Sequence, residues 1–389
     1  MPREKTSSTC SCLFVSARFI LRVHIESIRL KSFRNYSDRE IYPSPGLTVL
    51  IGINASGKTN VIEAVQIVTS GRSFRRPKWD EVIKWDEDSA MISANLSSAT
   101  TSSKVEVVIK RGAQRTFRLN GLAKKRVSDV AGILPVVVFT PDDLDLSKGS
   151  AEVRRMEVDD LGEQLSKTYG AVRRDYNKVV RHRNVLLREW QASDIDLEPW
   201  DVQLASLGSK LLVHRRRLLR KIAERAKESY QELSQDEGLT IHYLDRCGLS
   251  TSCLDEEIQI ELAEKTIFST LENRRDEERA RRTTLVGPHR DEIIFRLGDR
   301  DARAFASQGQ QRTIALAWKL AEVDVVEDVA HKKPVLLLDD VMSELDENRR
   351  RALTGLVQRN IQTFITTTEE AHFDPELLAE ALVINAGDM

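Results

Sequence analysis

Eight consecutive residues, Gly52-Ile53-Asn54-Ala55-Ser56-Gly57-Lys58-Thr59, carry the most specific chemistry in the chain. They fit G-x-x-x-x-G-K-[ST], the spacing at which successive backbone N–H groups turn inward around phosphate oxygens. Glycine stands where a side chain would block that approach. Lys58 can reach β and γ phosphates, and the Thr59 hydroxyl can hold Mg²⁺. A glycine-containing turn is the mundane alternative, and the flanking text argues against it. Residues 47–51 form a short apolar, β-branched run of the kind that makes a buried strand. Asn60-Val61-Ile62-Glu63-Ala64-Val65 then reads as a helix whose N-terminus faces the phosphates. The pattern implies ATP with Mg²⁺.

Two further constellations have the chemistry to complete such a site. Val335-Leu336-Leu337-Leu338 is an apolar strand ending in Asp339 and Asp340. Asp339 is placed to hold Mg²⁺, and Asp340, pointing the other way, to orient or deprotonate the attacking water. Ser307-Gln308-Gly309-Gln310-Gln311 precedes a helix expected from Arg312 to about Val326. Ser307, Gly309 and Gln310 there offer a hydroxyl and free N–H groups at a positive helix end, a second phosphate-binding surface. One chain already supplies a whole cradle, so this second surface is expected to serve the nucleotide of another copy.

The elements that must position these residues are legible in outline. Strand-like alternation runs over residues 24–30 and 39–42, before the phosphate-loop strand. Residues 90–96, 104–110 and 116–119 alternate as antiparallel strands, with Asn120-Gly121 as a hairpin turn. Residues 134–140 are a buried strand. Two basic tips interrupt this region. One is Gly71-Arg72-Ser73-Phe74-Arg75-Arg76-Pro77-Lys78-Trp79, the other Lys124-Lys125-Arg126. Arginines beside aromatics suit a nucleic-acid backbone, giving Arg72, Arg75, Arg76, Lys78, Lys124, Lys125 and Arg126 as candidate DNA contacts. A solvated loop is the alternative. From about Gly149 to Arg282 the text becomes charge-rich with helical apolar spacing, as at Leu204, Leu207, Leu211, Leu218, Ile222 and Ala226. Its basic runs, at 215–217 and at Arg173, Arg174, Lys178, Arg181 and Arg183, are expected to be solvated faces. Strand-like text resumes at residues 283–297, and candidate closing strands lie at 361–367 and 382–385.

The 389 residues exceed one average domain, and 41% hydrophobic content is ample for a core. Charged residues reach 31% but nearly cancel, leaving a net charge of −1. Any nucleic-acid surface must therefore come from local clusters. Cys10, Cys12, Cys247 and Cys253 form no zinc-ligand pattern, and reduced thiols in a cytosolic protein are expected. No apolar run approaches a membrane span. Residues 1–22 look unlike the rest and are expected to be a disordered or over-long N-terminal extension.

These parts together resemble the ABC-type ATPase family of the ABC/SMC-like superfamily, with residues 52–59 as Walker A, 307–311 as signature, 335–340 as Walker B and Ser343-Glu344-Leu345-Asp346 as D-loop. The flanking text is closest to the family's bacterial recombinational-repair and replication branch. It is carried by Phe33-Arg34-Asn35-Tyr36, Gly71-Arg72-Ser73-Phe74-Arg75, Pro141-Asp142-Asp143-Leu144, Gly287-Pro288-His289-Arg290-Asp291 and residues 338–346. The resemblance implies an α/β fold: an ABC-type head with a mixed sheet flanked by helices, from residues 23–148 and 286–389, with an inserted, mainly helical lobe at 149–285. It implies a cytoplasmic protein that dimerises with ATP and binds single-stranded DNA and gap junctions. It further implies cooperation with RecR and RecO, and indirectly RecA, in loading recombinase at gaps and supporting the SOS response. Gln308-Gly309 stands where the signature usually has two glycines. Asp340 replaces the glutamate of transporters, so a slow, DNA-stimulated ATPase is expected. The family's histidine after the last core strand is absent, and Ile365-Thr366-Thr367-Thr368 stands in its place. Two alternatives are a transporter ATPase subunit and a DNA-binding scaffold with a structural ATP site.

Overall fold

A computed structural model describes residues 22–189, 194–234, 238–249, 254, 257–369, 373 and 375–388. The N-terminal extension, bar its last residue, lies outside these residues, as do Cys10, Cys12 and Cys253.

The head begins with β1 (Val23–Phe33), β2 (Tyr36–Ile41) and β3 (Leu47–Ile51), then α1 (Lys58–Ser70). β4 (Ser89–Ser98), β5 (Ser102–Lys110), β6 (Thr116–Leu119) and β7 (Leu122–Lys124) follow as a meander, then β8 (Val136–Phe139). The lobe contains α2 (Ala151–Leu165), α3 (Lys167–Leu186), α4 (Asp194–Leu233), β9 (Leu239–Leu244), α5 (Ile260–Asn273) and α6 (Arg275–Arg281). β10 (Glu292–Leu297), β11 (Arg300–Asp301) and α7 (Ala302–Phe305) lead to α8 (Gln308–Ala330). The chain closes with β12 (Val335–Asp339), α9 (Glu347–Gln358), β13 (Thr363–Thr367), α10 (Pro375–Ala379) and β14 (Leu382–Asn385).

Three sheets organise these elements. A five-stranded parallel sheet has the order β14-β3-β13-β12-β8, and a six-stranded antiparallel sheet runs β2-β1-β4-β5-β6-β7. The expected hairpin forms between β6 and β7, with φ of 52° at Asn120 and 78° at Gly121, the left-handed pair a type I′ turn needs. The parallel strands read as unbroken apolar runs because both faces are covered. Val49, Val137, Phe139, Leu336, Leu338 and Ile365 face a core shared with α8 and the lobe. Their neighbours Leu50, Val136, Val138, Val335, Leu337 and Phe364 face a second core with α1 and the antiparallel sheet. Gln362 pins the two sheets together, accepting from Ile25 N at 2.7 Å and donating to Ile25 O and Ser44 O at 2.9 Å.

The third sheet, β11-β10-β9, lies apart from the ATPase sheet. β10 pairs antiparallel with β9 over six residue pairs, Glu292↔Leu244 to Leu297↔Leu239. Residues 292–301 thus join the lobe, although the sequence assigned the head from 286, and the first later strand of the parallel sheet is β12. The lobe's basic runs are solvated only in part: Arg174, Lys178, Arg181 and Arg217 are exposed as expected, while Arg183, Arg215 and Arg216 are buried. Arg183 is wholly buried, donating to Asp201 at 2.6 Å, Glu278 at 2.5 Å and Thr284 at 3.0 Å. Arg215, 2% exposed, makes a two-pronged pair with Asp159 at 2.8 and 2.9 Å and donates to Pro288 O at 2.6 Å. Arginine is suited to such sites because its planar fork can satisfy several acceptors at once.

The 287–291 motif is part of this internal lattice. Tyr176 OH and His289 Nδ1 lie 2.6 Å apart, and Asp291 accepts from Tyr243 OH at 2.5 Å and from Arg246 N at 2.7 Å. Burial pushes the Asp291 pKa up to about 6 and the His289 pKa down to about 3.

Candidate nucleotide site

The order of the parallel strands sets the site. β13 lies between β3 and β12, with Thr366 in register with Leu50 on one side and Asp339 on the other. The C-terminal ends of these strands therefore bring the loop after β3 and the carboxylates after β12 to one edge, where α/β sheets hold ligands.

In the loop, Ala55 (φ 66°) and Gly57 (φ 105°) take the left-handed conformation that turns the backbone over the start of α1. A Cβ on Gly57 would lie 2.6 Å from Asn35 Nδ2 and 2.7 Å from the Tyr36 hydroxyl, so only glycine fits. A Cβ on Gly52 would meet Ser56 Oγ at 2.9 Å. Lys58 is buried and folds back over the loop, donating to Gly52 O at 2.7 Å and Ile53 O at 2.9 Å. Burial lowers its pKa, while Asp340 and Asp339 oppose that shift. Ser56 Oγ is buried without a hydrogen-bond partner, an orphan polar group inside the cradle. Asn54 lies at the exposed crest beside Ile53, which is 82% exposed.

Asp339 Oδ1 accepts two hydroxyls, Thr59 Oγ1 and Thr366 Oγ1, each at 2.8 Å. Thr366 Oγ1 also accepts from Asp340 N at 2.9 Å, steadying a residue with φ 54°. Thr366 was not singled out as a site residue by sequence reasoning. Its position at the end of the strand between β3 and β12 was the available signal. A threonine hydroxyl beside a carboxylate is a hard-oxygen donor pair of the type Mg²⁺ takes, with its remaining positions left for water and phosphate. The glycine-lined loop, the orphan Ser56 hydroxyl and this donor pair fit Mg²⁺–ATP.

Ser307 is the N-cap of α8. Its Oγ accepts from Gln310 N at 3.2 Å, and Gln310 Oε1 accepts from Ser307 N at 2.9 Å, a reciprocal capping box. Ser307 and Gln308 are exposed, and Gly309 is half-buried. The D-loop is clamped to this helix. Arg312 donates to Glu344 O and Glu344 Oε2, both at 2.7 Å, while Arg349 donates to Gly309 O and Thr313 Oγ1 at 2.8 Å.

The basic tips divide into two groups. Arg72 pairs with Asp160 and Glu163 of α2, joining head to lobe. Arg75 donates to Asn60 Oδ1 at 2.7 Å and lies 3.3 Å from Glu63. Arg72 is thus an internal tie, whereas Arg75, though bound to Glu63 on one side, is exposed like Arg76, Lys78, Lys125 and Arg126, and Lys124 is half-buried in β7. Glu63, fully buried on α1, is the hub: Arg34 grips it at 2.7 and 2.9 Å and Ser73 Oγ donates at 2.6 Å. Glu63→Gln keeps the shape but leaves Arg34 and Arg75 short of a counter-charge. It is expected to cost about 3 kcal/mol, the scale for breaking a buried pair. A chemical-denaturation shift below about 1 kcal/mol, as for a surface pair, would remove the hub role.

Fold and site together define an ABC-type ATPase head with a helical insertion. The family model described as "RecF/RecN/SMC N terminal domain" matches residues 24–382. The "DNA replication and repair protein RecF" of Heliobacterium modesticaldum is 38% identical over 374 residues, covering 94% of this chain and 99% of the relative. That of Halalkalibacterium halodurans is 36% identical, covering 93% and 97%. A solved structure of the recombination mediator protein RecF with ATPrS, in the RecFOR pathway, superposes with a TM-score of 0.85 at 30% identity, covering 94% of this chain and 97% of that one. The Smc head from Pyrococcus furiosus shares the fold, with a TM-score of 0.52 at 18% identity. The chain belongs to the RecF family of DNA replication and repair proteins. That membership sets aside the transporter-subunit alternative. Among the described residues, no helix is long and apolar enough to cross a membrane.

Proposed function

We propose that this chain is an ATP-dependent DNA-binding protein of recombinational repair and replication, closing as a dimer on ATP. The observation that carries the reading is the 2.8 Å contact of Thr59 Oγ1 with Asp339 Oδ1, which joins phosphate loop and Walker B carboxylate into one donor set. Residues 52–59 bind the phosphates through backbone N–H groups. Lys58 exchanges the carbonyls of Gly52 and Ile53 for β- and γ-phosphate oxygens. Thr59 and Asp339 would hold Mg²⁺, which when bound would supply charge neutralisation for the phosphates. Asp340 orients the attacking water and accepts its proton. Ser307, Gly309 and Gln310 present the exposed N-terminus of α8 to the γ-phosphate bound by a second copy. DNA contacts fall to the exposed Arg75, Arg76, Lys78, Lys125 and Arg126.

The names of the relatives support a place in DNA replication and repair, and the RecFOR pathway of the solved neighbour supports work with RecR and RecO, and indirectly RecA. Binding at single-stranded and gapped DNA, loading of recombinase there, support of the SOS response and a cytoplasmic location complete the reading. ATP turnover measured with and without single-stranded DNA tests it. A slow basal rate that rises with DNA is expected. A chain that binds ATP and DNA yet never hydrolyses would be a scaffold with a structural nucleotide.

A further inference from the structure

A cleft of about 720 Å³ lies where the head meets the lobe. One wall is the loop after α1 and the stretch following β7; the other is α3. Its lining is strongly basic and includes Arg76, Arg115, Lys125, Arg126, Arg174 and Arg181. Two acids in the lining, Asp160 and Glu163, are already engaged by Arg72 and Arg173. Arg76, Lys125, Arg126 and Arg181 have no carboxylate within ion-pair distance among the described residues. Arg174 has only its chain neighbour Asp175, at 3.5 Å. Like charges facing one another across a cleft repel, and a polyanion between them relieves that repulsion.

The dimensions restrict which polyanion. On α3, Arg174, Asn177 and Arg181 follow an i, i+3, i+7 pattern and so share one face. Arg174 and Arg181 are separated by a rise of about 10 Å, enough for the two guanidiniums to meet different phosphates of one strand. The volume lies in the range of a small-ligand pocket, roughly 300–1,000 Å³. A duplex, whose major groove alone is about 12 Å wide, asks for more room than that volume gives. At the floor, Arg115 lies 3.5 Å above the Trp79 ring and is pinned by donation to Gly71 O at 2.6 Å. A fixed guanidinium on an aromatic ring is a sequence-tolerant surface for stacking a base.

We propose that this cleft takes the phosphodiester backbone of a single nucleic-acid strand, with Arg174 and Arg181 of the lobe and Lys125 and Arg126 of the head on opposite sides of it. The proposal rests on the DNA-binding reading above and locates the single-strand contact within it. A strand held there would bridge head and lobe.

The test uses the full chain and a labelled oligothymidine, titrated across salt, with a blunt duplex in parallel. Two variants are compared: Arg174→Gln with Arg181→Gln, and Lys125→Gln with Arg126→Gln. Each is expected to weaken single-strand binding and to reduce the log–log salt slope by about 1.4, at roughly 0.7 per phosphate contact on a single strand. ATP binding stays unchanged, duplex affinity falls less than single-strand affinity, and Arg174→Lys with Arg181→Lys keeps most of the single-strand affinity. An unmodified chain that binds oligothymidine, with variants of unchanged slope, overturns the cleft and leaves the DNA-binding reading standing. Equal losses on duplex and single strand overturn the restriction to one strand. Failure of the unmodified chain to bind any DNA overturns the DNA-binding reading itself, and the cleft with it.

Discussion

Asp340→Asn is expected to slow ATP hydrolysis by about 10²–10⁴-fold, the usual contribution of a positioned general base, while ATP binding is retained. The two effects separate because Asp340 is held through its backbone. Its N–H donates to Thr366 Oγ1 at 2.9 Å, a bond the asparagine keeps. Asparagine also tolerates the left-handed φ of 54° found there. The substitution therefore keeps that backbone contact and removes the carboxylate's charge and its capacity to take a proton. Single-turnover hydrolysis and nucleotide affinity, measured on the same preparation, distinguish the outcomes. Hydrolysis at the unmodified rate would place the water-positioning role on another residue.

The second large effect is expected from two defective chains mixed together. Lys58→Ala should abolish productive ATP binding, since among the described residues no other cation donates to the loop carbonyls where Lys58 Nζ lies at 2.7 and 2.9 Å. Ser307→Arg should leave the cradle intact but block the exposed start of α8 by bulk and by loss of the hydroxyl. Each variant alone is then inactive. In the heterodimer, the intact cradle of one chain faces the intact signature of the other, so one composite site per dimer is restored. Up to about a quarter of the unmodified ATPase is expected at equal mixing, because half of the random dimers are mixed and each has one of two sites, an isologous arrangement. No recovery at any ratio would mean that the two surfaces do not serve one nucleotide.

The parts of the molecule that were legible in the sequence are those governed by local pattern. Val335-Leu336-Leu337-Leu338 reads as a strand because both its faces are buried, and 52–59 is recognisable because phosphate binding constrains backbone and side chains over a short span. Partners brought together by the fold were not legible. Arg72 looked like a free cation on a basic loop, yet its acids lie 88 and 91 positions away on α2. Arg215 sits in a run of three arginines that pattern assigns to solvent, while Asp159, 56 positions earlier, draws it inside. The same holds for β10, whose alternation announced a strand without saying that its partner was β9 in the lobe rather than the ATPase sheet. Thr366 escaped attention because a threonine at a strand end carries no motif. Its role emerges only from the strand order that places it between Asp339 and the phosphate loop. The arginines of α3 were read as a solvated face, and only the fold shows that Arg174 and Arg181 look across a cleft at the basic tips of the head.

Sedimentation velocity of the full chain with ATP, with ADP and without nucleotide tests the composite site most directly. ATP bridges the cradle of one copy and the Ser307 end of α8 of another through its γ-phosphate, whereas ADP reaches only the cradle. The unmodified chain is expected to sediment as a dimer with ATP and as a monomer with ADP or alone, and Ser307→Arg to remain a monomer with ATP despite binding it. Dimerisation of Ser307→Arg with ATP to the same extent as the unmodified chain, or a chain that stays monomeric with saturating ATP, would contradict the composite site.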